Sequence, residues 1–506
     1  MLSLIKSMVI IGITGQLVSV QVDVSNGLPY FEIVGLPDTT VKESKERVRV
    51  AIKNSGYDIR SKRVIINLAP ANIRKIGSIF DLSIAIGVLA SLNIVNKEET
   101  EKYVIIGELS LDGEVKRVPE AFAICIEMRK LGLKNIIIPF ANGEEVKYLE
   151  GINIYLVTNL REVVDFLNNQ KALEKLNIEK YDRCVEKEKN TFDFSDIYGQ
   201  ELAKRALEIS AAGGHNCLMI GSPGSGKTML AQRITSILPN LNLEEALEVN
   251  KINSLYGENK SKMTLEKPFR APHYTISESG LIGGGAIPRP GEVTLANMGV
   301  LFLDELTEFK KNVLETLRIP LEDRKVTISR VRTKITYPAN FILLGAMNPC
   351  PCGYYGSPVK ECTCTNITRE KYIHRISGPL LDRFDIFVNV YTVKLSEMKK
   401  KSERASSSAV RERVVKARNL QLKRYKNYGI AINSELNNNQ ISAFCKLDSK
   451  SNELLEKFYQ QNKISVRAYN KILKVARTIA DLEEKENIEY KHIAEALQYR
   501  RKEENL

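Results

Sequence analysis

No stretch of this chain approaches the ~18 consecutive apolar residues that a membrane-crossing helix requires, although 43% of its 506 residues are hydrophobic. A membrane-spanning role is thereby set aside. A secretory signal is lacking too: Met1 to Gly15 holds one lysine, and the short apolar run from Met8 to Ile13 is followed by no small-residue cleavage site. Extracellular cysteine pairing is missing as well, since Cys125, Cys184, Cys217 and Cys445 are scattered without framework spacing. Reduced thiols in a cytosol suit that pattern. A cytoplasmic protein with no membrane partner is expected.

Two segments together carry a basic excess at least as large as that of the whole chain. From Lys394 to Asn427 twelve Lys/Arg face three Asp/Glu, and from Arg324 to Lys334 there are five basic residues and no acidic one. These segments together account for the whole formal excess of +13, so the remainder is near neutral. Charge concentrated in this way is expected of a polyanion-binding surface. For residues 394–427 taken alone, a solvated basic face is the other reading.

A chain of 57.0 kDa exceeds one hydrophobic core, so two or three domains are expected. Residues 1–170 read as a compact α/β domain. Strands are predicted over 18–24, 30–34, 64–67, 103–109 and 135–139, and helices over 41–55, 80–90 and 119–131. Residues 171–191 are charged and poor in aromatics, a linker expected to be at least partly helical. From 192 to about 392, short apolar strands (217–220, 300–303, 341–344) alternate with helices and turns in a second α/β domain. Residues 393–506 open with a basic linker and become helical over 409–425, 452–460, 466–483 and 491–500.

Gly221, Ser222, Pro223, Gly224, Ser225, Gly226, Lys227 and Thr228 match the phosphate-binding loop, with the apolar CLMI before them and a helical pattern opening at Met229 after them. Backbone N–H groups at such a turn close around phosphates, and the helix N-terminus adds a favourable dipole. Lys227 is expected to reach the β- and γ-phosphates and Thr228 to offer its hydroxyl to Mg²⁺. Downstream, the apolar run Val300 to Leu303 ends in Asp304 and Glu305. Asp304 would hold Mg²⁺ and Glu305 would orient the attacking water.

These motifs stand in a fixed order with Asp196 to Gln200, Ala271 to Ser277, Asn348 after an apolar strand, Gly378 to Phe384, and Ser465 to Tyr469. In that order and over nearly its whole length the chain resembles the magnesium-chelatase-like AAA+ family, specifically the ComM (YifB) branch. The resemblance implies a multidomain α/β fold: a Lon-protease-like N-terminal domain, a central AAA+ P-loop domain and a C-terminal α-helical lid. It implies ATP and Mg²⁺ as ligands, with Ile197, Tyr198, Gly199 and Gln200 flanking the adenine beside Met229. It makes Asn348 the sensor of the lytic water, Arg383 the finger reaching a neighbouring subunit's γ-phosphate, and Arg467 the second sensor arginine. Positioned cations suit a loose anionic transition state, and an arginine supplied in trans is worth ~10³–10⁵ in rate. The functional expectation is a ring, hexameric by resemblance, that couples ATP hydrolysis to movement on single-stranded or branched DNA as a branch-migration helicase in natural transformation.

Asp304 lies 77 positions beyond Lys227, more than a minimal strand–helix–strand unit needs, and the interval holds Gly283, Gly284, Gly285 and the triplet Pro288, Arg289, Pro290. By resemblance this is a pore-lining insert. Residues 324–337 interleave β-branched and basic residues and read as a hairpin whose cations, Arg324, Lys325, Arg330, Arg332 and Lys334, would contact DNA phosphates. An exposed edge protected by its charges is the alternative.

The Lon-like resemblance raises a Ser–Lys dyad, but it sets Phe80 and Phe122 where the dyad belongs, and Ser78 with a nearby lysine is the residual candidate. Finally, Cys350, Cys352, Cys362 and Cys364 form two pairs nine residues apart, able to close a tetrahedral zinc site, although C-x-C is less diagnostic than C-x₂-C. Two rival functions stand beside the DNA motor: a magnesium chelatase ATPase subunit, against which the N-terminal domain argues, and a protein-remodelling chaperone, against which the localised positive charge argues.

Overall fold

A computed structural model describes residues 2–59, 61–179, 192–257, 263–285, 288–330, 333–358, 360–393, 405–462 and 464–500. The chain forms two compact units, the first from residues 1–187 with 243–265, the second from 188–242 with 266–506.

In the first unit, strands β1 (Leu2–Ile11), β2 (Thr14–Asn26), β3 (Tyr30–Val34) and β4 (Lys62–Ala69) are joined with β5 (Val104–Ile105), β6 (Asn135–Pro139) and β7 (Asn153–Val157). They form one mixed sheet in the order β3-β4-β2-β1-β5-β6-β7. β2 alternates strictly, burying Val18, Val20, Val22 and Val24, as a strand with one face on a core must. Helix α1 (Thr39–Asn54) is capped by Asp38, whose carboxylate accepts from Val41 N at 2.8 Å. Helix α2 (Asp81–Ser91) is buried on every side. It lies so close to β2 that a Cβ on Gly87 would come within 2.6 Å of Val22, and the hydroxyls of Ser3 and Ser91 donate to backbone carbonyls there.

The strand expected over 103–109 is broken. Around Gly107 the backbone turns to bond the start of α2, with Gly107 N donating to Ile79 O and Leu82 N to Gly107 O at 3.0 Å each, and the chain leaves the sheet after Ile105. β1 was hidden by its polar alternation, and β7 and the helix α4 (Leu160–Leu167) were likewise unread. Residues 171–179 run extended beside β7, with Leu176 N donating to Ile154 O at 2.8 Å; residues 180–191 of the linker lie outside the described residues.

One helix of the first unit comes from far along the chain. Leu243–Tyr256 packs on helix α3 (Ala121–Lys130), and Lys251 reaches Glu127 at 2.7 Å with both side chains 7% exposed. Glu127 also accepts from Gly15 N at 3.0 Å. Burial favours the neutral amine and lowers the Lys251 pKa, opposed by Glu127.

In the second unit, β8 (Cys217–Gly221), β9 (Phe269–Arg270), β10 (Val300–Leu303), β13 (Ile342–Met347) and β14 (Ile386–Val390) make a parallel sheet in the order β9-β10-β13-β8-β14, while β11 (Lys325–Arg330) and β12 (Thr333–Pro338) pair separately as a hairpin. The central strands are apolar throughout, as strands covered on both faces must be. Helices α5 (Glu201–Gly213) and α6 (Lys227–Ile237) share one hydrophobic core with the C-terminal helices α7 (Ser407–Tyr425), α8 (Ser449–Asn462), α9 (Val466–Leu482) and α10 (Tyr490–Gln498). Arg418 and Gln421 on α7 donate to the carbonyls of Ala211 and Ala212, satisfying the end of α5.

Candidate functional site: a phosphate loop and a separate arginine cavity

β8 delivers the chain to a glycine-rich turn, and α6 starts at Lys227 with Gly226 in the left-handed region at φ 92°. Gly224 also has positive φ, and a Cβ built on either residue meets nothing within 4 Å. This is an open concave face of backbone at a helix N-terminus, the shape that admits a polyphosphate. Lys227 is buried, and its Nζ donates to Gly221 O at 2.7 Å, Ser222 O at 3.0 Å and Asn348 Oδ1 at 3.2 Å. Burial lowers its pKa, with the carboxylates of Asp304 and Glu305 pulling the other way.

Asn348 follows β13, and Asp304 follows β10, so both stand at carboxyl ends of strands adjoining the loop. Thr228 Oγ1 donates to Asp304 Oδ2 at 2.6 Å. Two oxygen donors at hydrogen-bond distance at the mouth of a phosphate loop fit a hard divalent cation. Glu305 is exposed and held at φ 51°, ψ 47°, with its N–H donating to Asp304 Oδ1 at 2.9 Å. A non-glycine residue in that region carries a small conformational cost, which separates the Glu305 side chain from that of its neighbour.

The segment Ile197 to Gln200 adjoins the same turn. Gly199 and Gln200 are both left-handed, and Gln200 Nε2 donates to Tyr391 O and to Ser225 O. Ile197 is buried, whereas Tyr198 and Met229 leave apolar surface in solvent. Residues 197–200, 221–229, 304, 305 and 348 are thus gathered at one end of the parallel sheet.

Arg383 and Arg467 are elsewhere. They line a common cavity of about 350 Å³ that includes no residue of 221–228. Arg383 pairs with Glu322, and its Nε is buried without a hydrogen-bond partner; Arg467, at the start of α9, is exposed. Lys471 and Lys474 share the cavity with Asp385, whose carboxylate accepts from Asn216 N at 3.2 Å. Burial alone would raise the Asp385 pKa, but Lys471 and His215 outweigh it and hold the carboxyl well below the usual range. Asn216 also donates to Arg383 O at 2.9 Å and accepts from Leu343 N at 2.8 Å, tying the arginine segment to the roots of β8 and β13. The sequence reading missed Glu322, Asn216, Lys471 and Lys474, for which no local pattern exists.

The hairpin β11–β12 buries Val326, Ile328, Ile335 and Tyr337 on one face and exposes Lys325 and Lys334 on the other. Its buried face rests on the ribbon formed by Gly283–Gly284 and Arg289–Pro290: Tyr337 Oη donates to Pro288 O at 2.9 Å. Arg289, exposed on that ribbon, adds a cation that only the Pro-Arg-Pro triplet could have flagged. Arg324 has different company at the hairpin base, where it pairs with Glu435, bonds Asn340 Oδ1 at 3.0 Å and lines the arginine cavity. Arg332 and the Arg330 side chain lie outside the described residues. In the first unit, Phe80 and Phe122 are core residues. Ser78 donates to Glu108, and buried Lys75 donates to the carbonyls of Gly35 and Pro70.

Comparison with known proteins decides the family. Residues 193–398 match "Magnesium chelatase, subunit ChlI", residues 20–142 match "Subunit ChlI of Mg-chelatase", and residues 404–500 match "Magnesium chelatase, subunit ChlI C-terminal". The chain is 43% identical over 502 residues to the uncharacterized protein YifB of Escherichia coli, covering 99% of this chain and 97% of that one. It is 42% identical to the competence protein ComM of Haemophilus influenzae, with the same coverage. This chain belongs to the ComM/YifB family of magnesium-chelatase-like AAA+ proteins. It is accordingly an AAA+ ATPase, and membership implies ATP, Mg²⁺ and self-assembly. The 38 kDa magnesium-chelatase subunit of Cereibacter sphaeroides is more distant, 28% identical over 182 residues that span 32% of this chain and 54% of that one. No helix among the described residues is long and apolar enough to cross a membrane.

Proposed function

We propose that this ATPase works as a hexameric ring that couples ATP hydrolysis to movement on single-stranded or branched DNA, as a branch-migration helicase in recombination during natural transformation. The observation that carries the reading is the hairpin β11–β12, with cations on its outward face and its apolar face seated on the Gly283–Pro290 ribbon. The full-length kinship with a protein named for competence supports it, whereas the alignment with the 38 kDa magnesium-chelatase subunit covers about a third of the chain. Lys325, Lys334 and Arg289, together with Arg330 and Arg332 from the sequence reading, form the proposed phosphate-contacting set. Arg324, engaged by Glu435, leaves that set and joins the arginine cavity.

In this reading Lys227 exchanges the Gly221 and Ser222 carbonyls for phosphate oxygens when ATP binds, and Ile197 to Gln200 with Met229 flank the base. Mg²⁺, when bound, supplies charge neutralisation on the phosphates, held by Thr228 and Asp304. Glu305 orients and polarises the attacking water while Asn348, freed from Lys227, holds that water in line. Arg383 and Arg467 serve the nucleotide of the neighbouring subunit, because the cavity they line is separate from their own phosphate loop. β13 leads into Asn348 at one end and follows the hairpin at the other, so three residues of loop separate the hairpin from the sensor strand. The N-terminal Lon-protease-like domain is read as non-proteolytic, with Ser78 and Lys75 each committed to other partners.

The deciding measurement is the ATP turnover rate with single-stranded, duplex and branched DNA. Stimulation greatest on single-stranded or branched DNA is expected. A chain that turns over ATP but neither binds nor responds to any DNA would overturn the DNA reading.

A further inference from the structure

Between the sensor Asn348 and the helix Asn366–Ile373, the described residues of 349–365 form no helix or strand of their own, and apart from Pro349, Cys350 and Gly353 none of them is buried. A stretch of this length with so little to bury has no hydrophobic means of ordering itself. What it has is sulfur. The four Sγ atoms of Cys350, Cys352, Cys362 and Cys364 all lie within 4.8 Å of one another. The separations are 3.3 Å for 350–352, 3.7 Å for 350–362 and 3.6 Å for 352–362.

Those distances discriminate between kinds of cross-link. A disulfide needs sulfurs about 2.05 Å apart and uses them two at a time. Four thiolates on a tetrahedral zinc at about 2.3 Å are spaced about 3.8 Å from each other. The backbone agrees: N–H groups of Gly353 and Tyr355 face the Cys350 sulfur, and those of Tyr354 and Thr363 face Cys352. Backbone donors are thus directed at two of the sulfurs, the outer hydrogen bonding that orients metal ligands. The flanks are braced by stacked cations, Arg369 over Tyr355 and Lys360 over Tyr354.

We propose that Cys350, Cys352, Cys362 and Cys364 hold one structural zinc ion. All four positions are taken by sulfur, so the site is closed and takes no part in the chemistry. Each thiol releases its proton to solvent as its Zn–S bond forms, and no electron is transferred. The position of the site gives it a task. Gly353 lies so close to the phosphate loop that a Cβ on it would come within 2.6 Å of Pro223, and within 3.9 Å of the Asn348 amide carbon. The zinc turn therefore wedges against the loop that holds the phosphates and fixes the start of the sensor residue. Beyond Cys364 the same chain continues through the helix Asn366–Ile373 to Arg383, so the metal also anchors the segment leading to the finger. This positioning role rests on the ATPase reading of Asn348; the metal site does not.

The experiment uses the full chain purified under reducing conditions. Elemental analysis is expected to find about one zinc per chain that survives dialysis against a mild chelator, and to find it lost in the Cys362→Ser, Cys364→Ser double variant, which alters the pair not adjoining the phosphate loop. Cobalt added to metal-stripped protein should give the intense visible bands of a tetrahedral tetrathiolate. A folded, reduced chain with negligible zinc and no such spectrum overturns the site, and stoichiometric iron in its place overturns its assignment to zinc. For the positioning role, the stripped protein and the double variant should bind nucleotide with affinity near that of the zinc-loaded chain, while turnover falls about tenfold or more through displacement of Asn348. Unchanged turnover without zinc overturns that role while leaving the site. Zinc-loaded protein with no turnover at all marks instead a failure of the ATPase reading.

Discussion

Lys227 satisfies its ammonium on two carbonyls of its own loop and on Asn348. Truncation to alanine removes the only ammonium in the turn and leaves every other phosphate donor in place, so Lys227→Ala should weaken nucleotide binding. Glu305→Gln removes no such donor. It should keep ATP affinity within about twofold of wild type and lower turnover ~10²–10⁴-fold, the range for loss of a general base. Equilibrium nucleotide titration with single-turnover hydrolysis separates the two, and wild-type turnover from Glu305→Gln would sink its assignment. Asp385 tests the arginine cavity by another route. Its pKa is depressed on folding, so its stabilising contribution is complete above the unfolded value of ~4 and fades as pH falls through the folded one. Asp385→Asn should cost about 3 kcal/mol in urea unfolding at neutral pH, because Lys471 loses its buried carboxylate partner. The gap from wild type should narrow below pH ~4. A gap constant with pH would mean that packing, not charge, is what Asp385 supplies.

At the scale of elements, the hairpin makes the sharpest claim. Its alternation puts Val326, Ile328, Ile335 and Tyr337 inward and leaves Lys325 and Lys334 on the outer face. Arg330→Ala with Arg332→Ala should leave basal ATP turnover intact, weaken DNA binding with little dependence on sequence, and flatten the slope of log affinity against log salt by ~0.7–0.9 per lost contact. DNA stimulation and strand displacement should fall together; unchanged DNA binding would return the hairpin to the status of a charge-protected edge. That hairpin was legible because β-branched and basic residues alternate with the period of a strand. The phosphate loop and the strand ending in Asp304 and Glu305 were legible because their chemistry is contiguous. Elements whose partners are remote were not. The strand Leu2–Ile11 hides its alternation under Ser3, Lys6 and Ser7, and the break at Gly107 depends on backbone bonds to Ile79 and Leu82. Membership of the Leu243–Tyr256 helix in the first unit rests on Lys251 meeting Glu127 across 124 positions, which no local pattern can announce.

At the scale of the whole molecule, the separation of the arginine cavity from the phosphate loop decides how many chains make one active site. Arg383 is held by Glu322 in a cavity that its own loop does not line, so on the proposed reading an isolated chain would lack its finger. A ring built by repeating one head-to-tail interface would bring each cavity to the next chain's loop. Arg383→Ala alone should then bind ATP normally and turn it over ~10³-fold or more slowly, and Lys227→Ala alone should be inactive for lack of binding. Mixed in equal amounts and allowed to exchange, the two should recover activity, because an Arg383→Ala chain offers an intact loop to the intact arginine of a Lys227→Ala neighbour. With random placement about a quarter of the interfaces pair an intact loop with an intact arginine, so turnover near a quarter of wild type is expected if sites act independently. Less than that would report coupling around the ring. A mixture no more active than its components, together with full turnover from strictly monomeric wild-type protein, would show that the site is complete within one chain and that Arg383 has no role in a neighbour's hydrolysis.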